Sequence, residues 1–346
     1  MLSIRRRPQV IFWLCALVFV LFGSDVAPQI RALATGEKSS PGLAGDVAED
    51  GQCWIFTHLQ KCGGSTVKAI IEGQWGKRQM IFDTNQWKSG EKVTAKFAKS
   101  LVQERKWDAV AGGYTEALRP YVGDRCKWFI MFRHPVSRLV SAYFYCQRLP
   151  ADTACGSGRL NAKEADLVTF AKHWGNFGLR QFALALVDQN DVLESDWLGL
   201  SGGDPRDRHD SGWYIMKRYL ETEGRKLEGT VGEEDESLPE DRAMDDMLQP
   251  VRDLLRDNFT AVGILESFDD TLELFNRALE VPGLDWRSQF KAQGSKNVDN
   301  QYKEREKAAL AEAWTNAEIK KYINLDLLIY EHAVAVFNQQ KRLYSI

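Results

Sequence analysis

The sequence predicts an α/β domain, a single unit with a central parallel sheet flanked by helices. Three observations predict it. Short apolar runs alternate along the chain with stretches of helical periodicity. The runs are apolar at consecutive rather than alternate positions, as strands covered on both faces must be. Two of them, 54–58 and 128–133, pass through a Gly- or Pro-marked turn straight into a helical stretch, the connection that parallel pairing needs.

At the amino end, Arg5, Arg6 and Arg7 precede an uncharged run from Pro8 to Ser24 with an apolar core at Val10–Phe22. That core is shorter than the roughly 20 residues of a full membrane span. A cleaved secretory signal and an uncleaved signal anchor both have this form. No clean small-x-small cleavage site follows Phe22, and short spans suit the thinner membranes of the early secretory pathway. The expectation is therefore an anchor. Residues 1–24 would form the cytoplasmic tip and membrane segment of a type II single-pass protein, with a secreted form if the segment is cleaved. Residues 25–50, rich in Ala, Gly, Ser and Pro and without periodicity, read as a flexible stem. Residues 51–346 make the lumenal domain, about 295 residues and ample for one core.

Within that domain Trp54–His58, Ala109–Gly112, Trp128–Arg133 and Ala261–Leu265 are apolar and of strand length. Helical stretches are expected at Ser65–Glu72, Val136–Cys146, Ala165–Val187, Met244–Asp257, Phe268–Leu279 and Ala317–Gln339. The acidic stretch within Glu221–Asp246 reads as a solvated insertion. Cys146 and Cys155 bracket a short polar segment and could staple it. Cys53 and Cys126 each precede a strand-like run and could pair across neighbouring strands, although either pair could equally be free thiols. Cys15 and Cys62 are expected to stay unbridged. Asn258-Phe259-Thr260 is a glycosylation sequon, consistent with a lumenal compartment.

Composition excludes several classes. With 44% hydrophobic and 27% charged residues the chain is neither disordered nor fibrous. Lys+Arg 45 against Asp+Glu 48 gives a net charge of −3, which speaks against a nucleic-acid or general polyanion binder. Anion recognition must be local, built from a few placed cations.

Two segments offer such placement. The first runs from Trp54 through His58 and Lys61 to Gly63, Gly64, Ser65 and Thr66, then into an apolar helix. Glycines let backbone approach an anion, and the amides of a helix start point at it. Ser65 and Thr66 could cap the helix and donate hydroxyls, while Lys61 supplies a mobile cation. The loop is P-loop-like without being a Walker loop. Lys61 precedes the glycine pair, and GxxxxGK[ST] occurs nowhere in the chain, so nucleotide hydrolysis of that kind lacks its loop. The second segment, Lys127 to Tyr145, places Arg133 at a strand exit, Pro135 in the first helical turn and Ser141 about two turns on. Arg133 and Ser141 could converge on a second phosphate.

Together, in this order, the two segments resemble the 5′-phosphosulfate and 3′-phosphate loops of PAPS-dependent Golgi carbohydrate sulfotransferases, specifically the heparan sulfate 2-O, uronyl and chondroitin group. The stretch Thr260–Phe275, with Gly263, Glu266 and Thr271, is similar to a later strand–helix unit of that family, and Asp326–Phe337 to its closing helix. The resemblance implies that Lys61, Gly63, Gly64, Ser65 and Thr66 hold the 5′-phosphosulfate of PAPS (3′-phosphoadenosine 5′-phosphosulfate), and that Arg133 and Ser141 hold the 3′-phosphate. It also implies in-line sulfuryl transfer to a carbohydrate hydroxyl in the Golgi lumen. Lys61 would stabilise the leaving phosphate, and no metal would be needed.

The family's Gly-His at the end of the preceding strand has no counterpart in Ala109–Glu116. A base must then come from elsewhere. His58 stands beside the loop, Glu116 is the alternative, and Glu72 and Asp83 follow; His134 is expected to orient its loop. Arg180, within His173–Gln181, could face an anionic sugar, and Lys291, Lys296 and Asn297 could close over the nucleotide. Two other functions stay open: a catalytically inactive nucleotide- or glycan-binding member of the same fold, and a tyrosine-protein sulfotransferase. Acceptor sugar and oligomeric state are not legible.

Overall fold

Cys53-Trp-Ile-Phe-Thr57 is apolar on both faces, and in the computed structural model it forms β1 (Cys53–Thr57), buried along its whole length. The structure describes residues 52–82, 91–150, 155, 162–186, 240–293 and 303–346. After β1 come α1 (Gly64–Trp75), β2 (Gln79–Ile81), α2 (Glu91–Val102), β3 (Ala109–Gly112), a short α3 (Arg119–Val122), β4 (Cys126–Phe132) and α4 (Pro135–Arg148). The chain continues through α5 (Leu167–Trp174), α6 (Phe177–Leu186), α7 (Glu240–Asp257), β5 (Ala261–Ile264) and α8 (Phe268–Leu279). It ends with α9 (Trp286–Gln293), α10 (Lys303–Thr315), α11 (Ala317–Tyr322) and α12 (Asn324–Leu343).

The strands form one five-stranded sheet in the order β2-β3-β1-β4-β5, and every pairing is parallel. This is the expected α/β architecture with a central parallel sheet flanked by helices. The order decides where a ligand can sit. From β1 the chain turns one way, across β3 to β2; from β4 it turns the other way, to β5. The strand order therefore reverses between the carboxyl ends of β1 and β4, the usual ligand position of open α/β sheets.

Phe129 of β4 anchors the core. Its ring lies 5.1 Å from Phe56, 5.3 Å from Phe275 and 5.6 Å from Trp286, the last two edge to face. Such pairs add about 0.5–1.5 kcal/mol each beyond their buried area. A second apolar cluster joins α4 (Val136, Leu139, Phe144) to α5 (Phe170, Trp174) and to Ile319 and Ile323.

Both candidate cysteine pairs are bridged. Cys53 and Cys126 face one another in register on β1 and β4, Cα atoms 4.5 Å apart, and Cys146 joins Cys155 with Cα atoms 5.4 Å apart. The first bridge closes a loop of 73 residues, which in the chain-entropy account stabilises the fold by about 4 kcal/mol. Cys62 is free and buried, its thiol pushed up to about 11 chiefly by that burial. Cys15 lies outside the described residues, as do the stem and the apolar segment 8–24. Among the described residues no helix is long and apolar enough to cross a membrane.

Two expected helices are broken. The stretch Ala165–Val187 divides at Gly175 and Asn176 into α5 and α6. A Cβ at Gly175 would fall 2.0 Å from the Tyr322 carbonyl oxygen, and Asn176 takes a positive φ of 49°. Its side-chain oxygen then accepts from the amides of Leu325 and Asp326, both at 3.1 Å, at the start of α12. The stretch Ala317–Gln339 divides at Ile323 into α11 and α12.

Candidate functional site

The chain leaves β1 at His58 and turns through Lys61, whose backbone is left-handed at φ 65°, and Gly63, at φ 79°. Glycine is required twice here. A Cβ on Gly63 would come within 2.6 Å of the Met131 methyl and 3.0 Å of Leu265, and one on Gly64 within 1.9 Å of the His58 ring. The loop thus lies pressed onto the ends of β4 and β5 from above and onto His58 from within. Gly63 is the N-cap of α1 and has no side chain to give, so no side chain caps the helix start, while the Thr66 amide turns back to the Gly63 carbonyl oxygen at 3.0 Å. Ser65 and Thr66, expected as caps, instead sit inside the first turn, Ser65 exposed and Thr66 buried.

The second loop starts three residues beyond the last β1–β4 pair, because Thr57 pairs with Ile130 and β4 continues to Phe132. Arg133 leaves the strand half-buried, and its Nη1 donates to the Lys61 carbonyl oxygen at 3.3 Å. The two loops therefore meet at the carboxyl ends of β1 and β4. Pro135 occupies the first turn of α4, and the imidazole Nδ1 of His134 accepts from the Val136 amide at 3.3 Å. Burial holds His134 below its ordinary pKa, which keeps that acceptor unprotonated. The His134 amide donates to Glu266 Oε1 at 2.9 Å, and Tyr330 donates its hydroxyl to Glu266 Oε2 at 3.1 Å. Burial and then the Glu266 charge keep that phenol protonated. Glu266 thus ties the exit of β5 and the closing helix α12 to the Arg133 loop.

One face of α4 is turned to the first loop. Tyr145 carries the Lys61 ammonium 4.0 Å from its ring centroid, and Ser141 lies one helical turn before it on the same face, half-buried. Gln181 of α6, buried, closes the other side: its Nε2 donates to the carbonyl oxygens of His58 and Gly113, both at 2.8 Å. Neither Tyr145 nor Gln181 carries a sequence signal as a site residue, since each reads as one more position on an amphipathic helix.

The candidate bases have distinct surroundings. His58 packs its ring against Gly64 beneath the α1 amino terminus, and its pKa falls from the ordinary 6.5 to about 3, through burial first and the nearby Lys68 and Lys61 next. It is a neutral, weakly basic imidazole. Glu116 is fully buried: Oε1 accepts from the Thr57 hydroxyl at 2.8 Å and Oε2 from Arg119 Nε at 2.7 Å. The Arg119 guanidinium itself lies over the Trp128 ring at 3.8 Å. Both carboxylate oxygens are engaged. Glu72 is exposed near the far end of α1, about 12 Å along the helix from Gly64. Asp83 lies outside the described residues, as do Lys296 and Asn297. Lys291 is exposed on α9, which reaches α1 through Gln293 Nε2 and the Ala69 carbonyl oxygen at 3.3 Å. Arg180 belongs to α6, next to Gln181. Among the described residues no group of three or more His, Cys, Asp or Glu side chains could hold a metal ion.

The His58 environment sets an acid response. A histidine kept neutral by the fold contributes stability above its unfolded pKa and loses it as pH falls toward the folded value. Between pH 6.5 and about 3 the fold should therefore lose about 1.4 kcal/mol per pH unit from this group. Thermal melting of the wild type and His58→Gln between pH 7 and pH 4 measures it, and the variant's curve is expected to be flatter over that interval. Parallel curves would show that His58 protonates freely in the folded state.

What the arrangement offers chemically is two cations and a helix amino terminus at the carboxyl ends of β1 and β4, with glycines that let the loop pack onto Met131, Leu265 and His58. Such a site suits a ligand with phosphate-like groups at two points. No model of a known protein family and no curated protein matches the chain.

Proposed function

We propose that the chain transfers a sulfuryl group from PAPS to a hydroxyl of a carbohydrate acceptor, as a single-pass Golgi membrane protein with its domain in the lumen. One observation carries the reading. Arg133 and Lys61, 72 positions apart, touch at the strand ends where the sheet order reverses. Such a meeting puts the two loops within reach of one doubly phosphorylated adenosine, which supports the reading. The glycines support it indirectly: without a Cβ at 63 or 64 the loop packs onto Met131, Leu265 and His58, which sets the α1 amino terminus beside the strand ends.

In this reading the α1 amides, Ser65 and Thr66 bind the 5′ end, and Arg133 with Ser141 binds the 3′-phosphate. When bound, PAPS supplies an activated sulfuryl group whose departure leaves charge on the phosphate bridging oxygen. Lys61 holds an ammonium where that charge develops, which lowers the barrier without a metal. Tyr145 positions the Lys61 side chain, and Glu266 with His134 fixes the strand exit that carries Arg133.

The test has two arms. The folded domain should melt at higher temperature with 3′-phosphoadenosine 5′-phosphate, and labelled PAPS should deliver sulfate to a member of a panel of desulfated glycosaminoglycans and neutral polysaccharides. A domain indifferent to the nucleotide would sink the proposal. Label on tyrosine peptides instead of glycans would move the assignment to a protein sulfotransferase.

A second reading has its own support. His58 is weakly basic and Glu116 is locked between Thr57 and Arg119. A nucleotide-binding protein of this fold without catalysis fits both facts, and nucleotide stabilisation with no labelled product in any arm would select it.

A further inference from the structure

We infer that Asn258 is an N-glycosylation site whose glycan projects from the edge of the sheet opposite the nucleotide loops. Asn258-Phe259-Thr260 is the sole Asn-x-Ser/Thr triplet in the sequence, and no proline follows it. A triplet alone is a weak signal, because a folded protein can bury its asparagine. Here the fold does the reverse. Asn258 sits at the turn between α7 and β5, exposed, and its side-chain amide makes no hydrogen bond within the described residues. The backbone around it is pinned. The Asn258 carbonyl oxygen accepts from Arg119 Nη1 at 3.2 Å, the Phe259 carbonyl oxygen from Gln340 Nε2 at 3.1 Å, and Phe259 is buried. Thr260 turns its hydroxyl inward, where it accepts from the Trp128 amide at 3.3 Å. The turn therefore presents one side chain of the triplet to solvent and holds the other two in the fold.

The compartment has independent support on the same molecule. Glycan transfer occurs where disulfides form, and Cys53–Cys126 and Cys146–Cys155 are both bridged. The donor class is an oligosaccharide carried on a lipid diphosphate. The Asn258 amide nitrogen bonds to the anomeric carbon, the carbon–oxygen bond to the diphosphate breaks, the lipid diphosphate leaves with the electron pair, and the amide gives up one proton. Transfer takes place on the growing chain, so the inward Thr260 hydroxyl of the finished fold is no obstacle. Position then decides compatibility with function. Asn258 precedes β5 and lies at the amino-terminal edge of the sheet, whereas Lys61 and Arg133 follow β1 and β4 at the carboxyl edge. A strand of four residues alone sets these edges about 13 Å apart.

The test uses the full chain expressed in secretory eukaryotic cells, with gel mobility and peptide mass read before and after peptide-N-glycosidase treatment. Wild type should shift by one glycan and leave aspartate at position 258. Asn258→Gln and Thr260→Ala should abolish the shift. Thr260→Ser should keep it, since it retains both the acceptor triplet and the hydroxyl that Trp128 uses. Nucleotide-induced stabilisation should be the same before and after glycan removal. Two results overturn the inference: an unshifted wild-type chain with its disulfides formed, which removes the site, and an unshifted chain with reduced cysteines, which removes the compartment. Neither outcome depends on sulfuryl transfer, so the inference and the proposed activity fail separately.

Discussion

Lys61→Ala should lower the rate of the proposed sulfuryl transfer by about 10²–10³-fold, the range seen when one preorganised charge-stabilising donor is removed from a reaction centre. In the proposed reaction the loss should appear mainly in kcat, because the ammonium would meet charge that exists only as the bond to the leaving phosphate breaks. Stability should change little. Lys61 already holds a left-handed φ of 65°, which alanine shares at similar cost, and the contact with the Tyr145 ring is worth about 0.5–1 kcal/mol at a partly exposed site. The variant thus separates chemistry from folding. Nucleotide affinity measured on the same protein should fall far less than the rate, since Arg133 and the α1 amides remain. Single-turnover transfer from labelled PAPS is the measurement. A Lys61→Ala protein within tenfold of wild type would remove Lys61 from the reaction, and one that transfers slowly only because it no longer binds nucleotide would demote it to a binding residue.

The parts of this site that the sequence makes legible are those written in backbone chemistry. Two glycines between an apolar strand and an apolar helix, and a proline just after a strand-exit arginine, can be read without neighbours, because Gly and Pro report local φ and access directly. The strands 109–112 and 261–264 are equally plain as unbroken apolar runs. β2 is not. It has three half-buried residues at a sheet edge, and nothing in Gln79-Met-Ile81 distinguishes it from a turn. Helix breaks are illegible in the sequence for a different reason. Asn176 departs from helical geometry because its side chain caps α12, nearly 150 positions away, and no window of sequence contains that partner. The same applies to Gln181 and Glu266, which matter through bonds to carbonyls and amides of distant loops. Candidate bases lie at the far limit. His58 is next to the loop in sequence and in space, yet its chemistry is set by packing against Gly64, a fact of three dimensions alone.

Asp326→Ala should destabilise the domain by about 3–5 kcal/mol and weaken the proposed nucleotide binding from a position outside the proposed site. Asp326 and Arg138 form an ion pair in which both side chains are about 95% buried. A buried pair is no strong source of stability, but removing one partner strands the other charge in the interior. Arg138 is already stretched, since its Nη1 finds no hydrogen-bond partner among the described residues. Asp326 also accepts from the amides of Gly178, at 3.3 Å, and Leu179, at 2.8 Å, so its carboxylate holds the first turn of α6. A Cβ at Gly178 would stand 3.0 Å from Asp326 Oδ1, which shows how closely that turn approaches. From there the route to the site is short: α6 carries Gln181, which clamps the carbonyl oxygens of His58 and Gly113 at the exits of β1 and β3. Loosening α6 frees that clamp and lets the first loop shift. Asp326→Asn keeps an acceptor for the α6 amides while losing the charge, and should fall between the two in melting temperature. Replacing both partners with apolar residues of similar volume should recover much of the stability, because no charge is left uncompensated. It should not recover nucleotide affinity, because the α6 amides still lack their acceptor. If the double variant regains both together, the pair acts only as packing and the path through Gln181 is not the link between them.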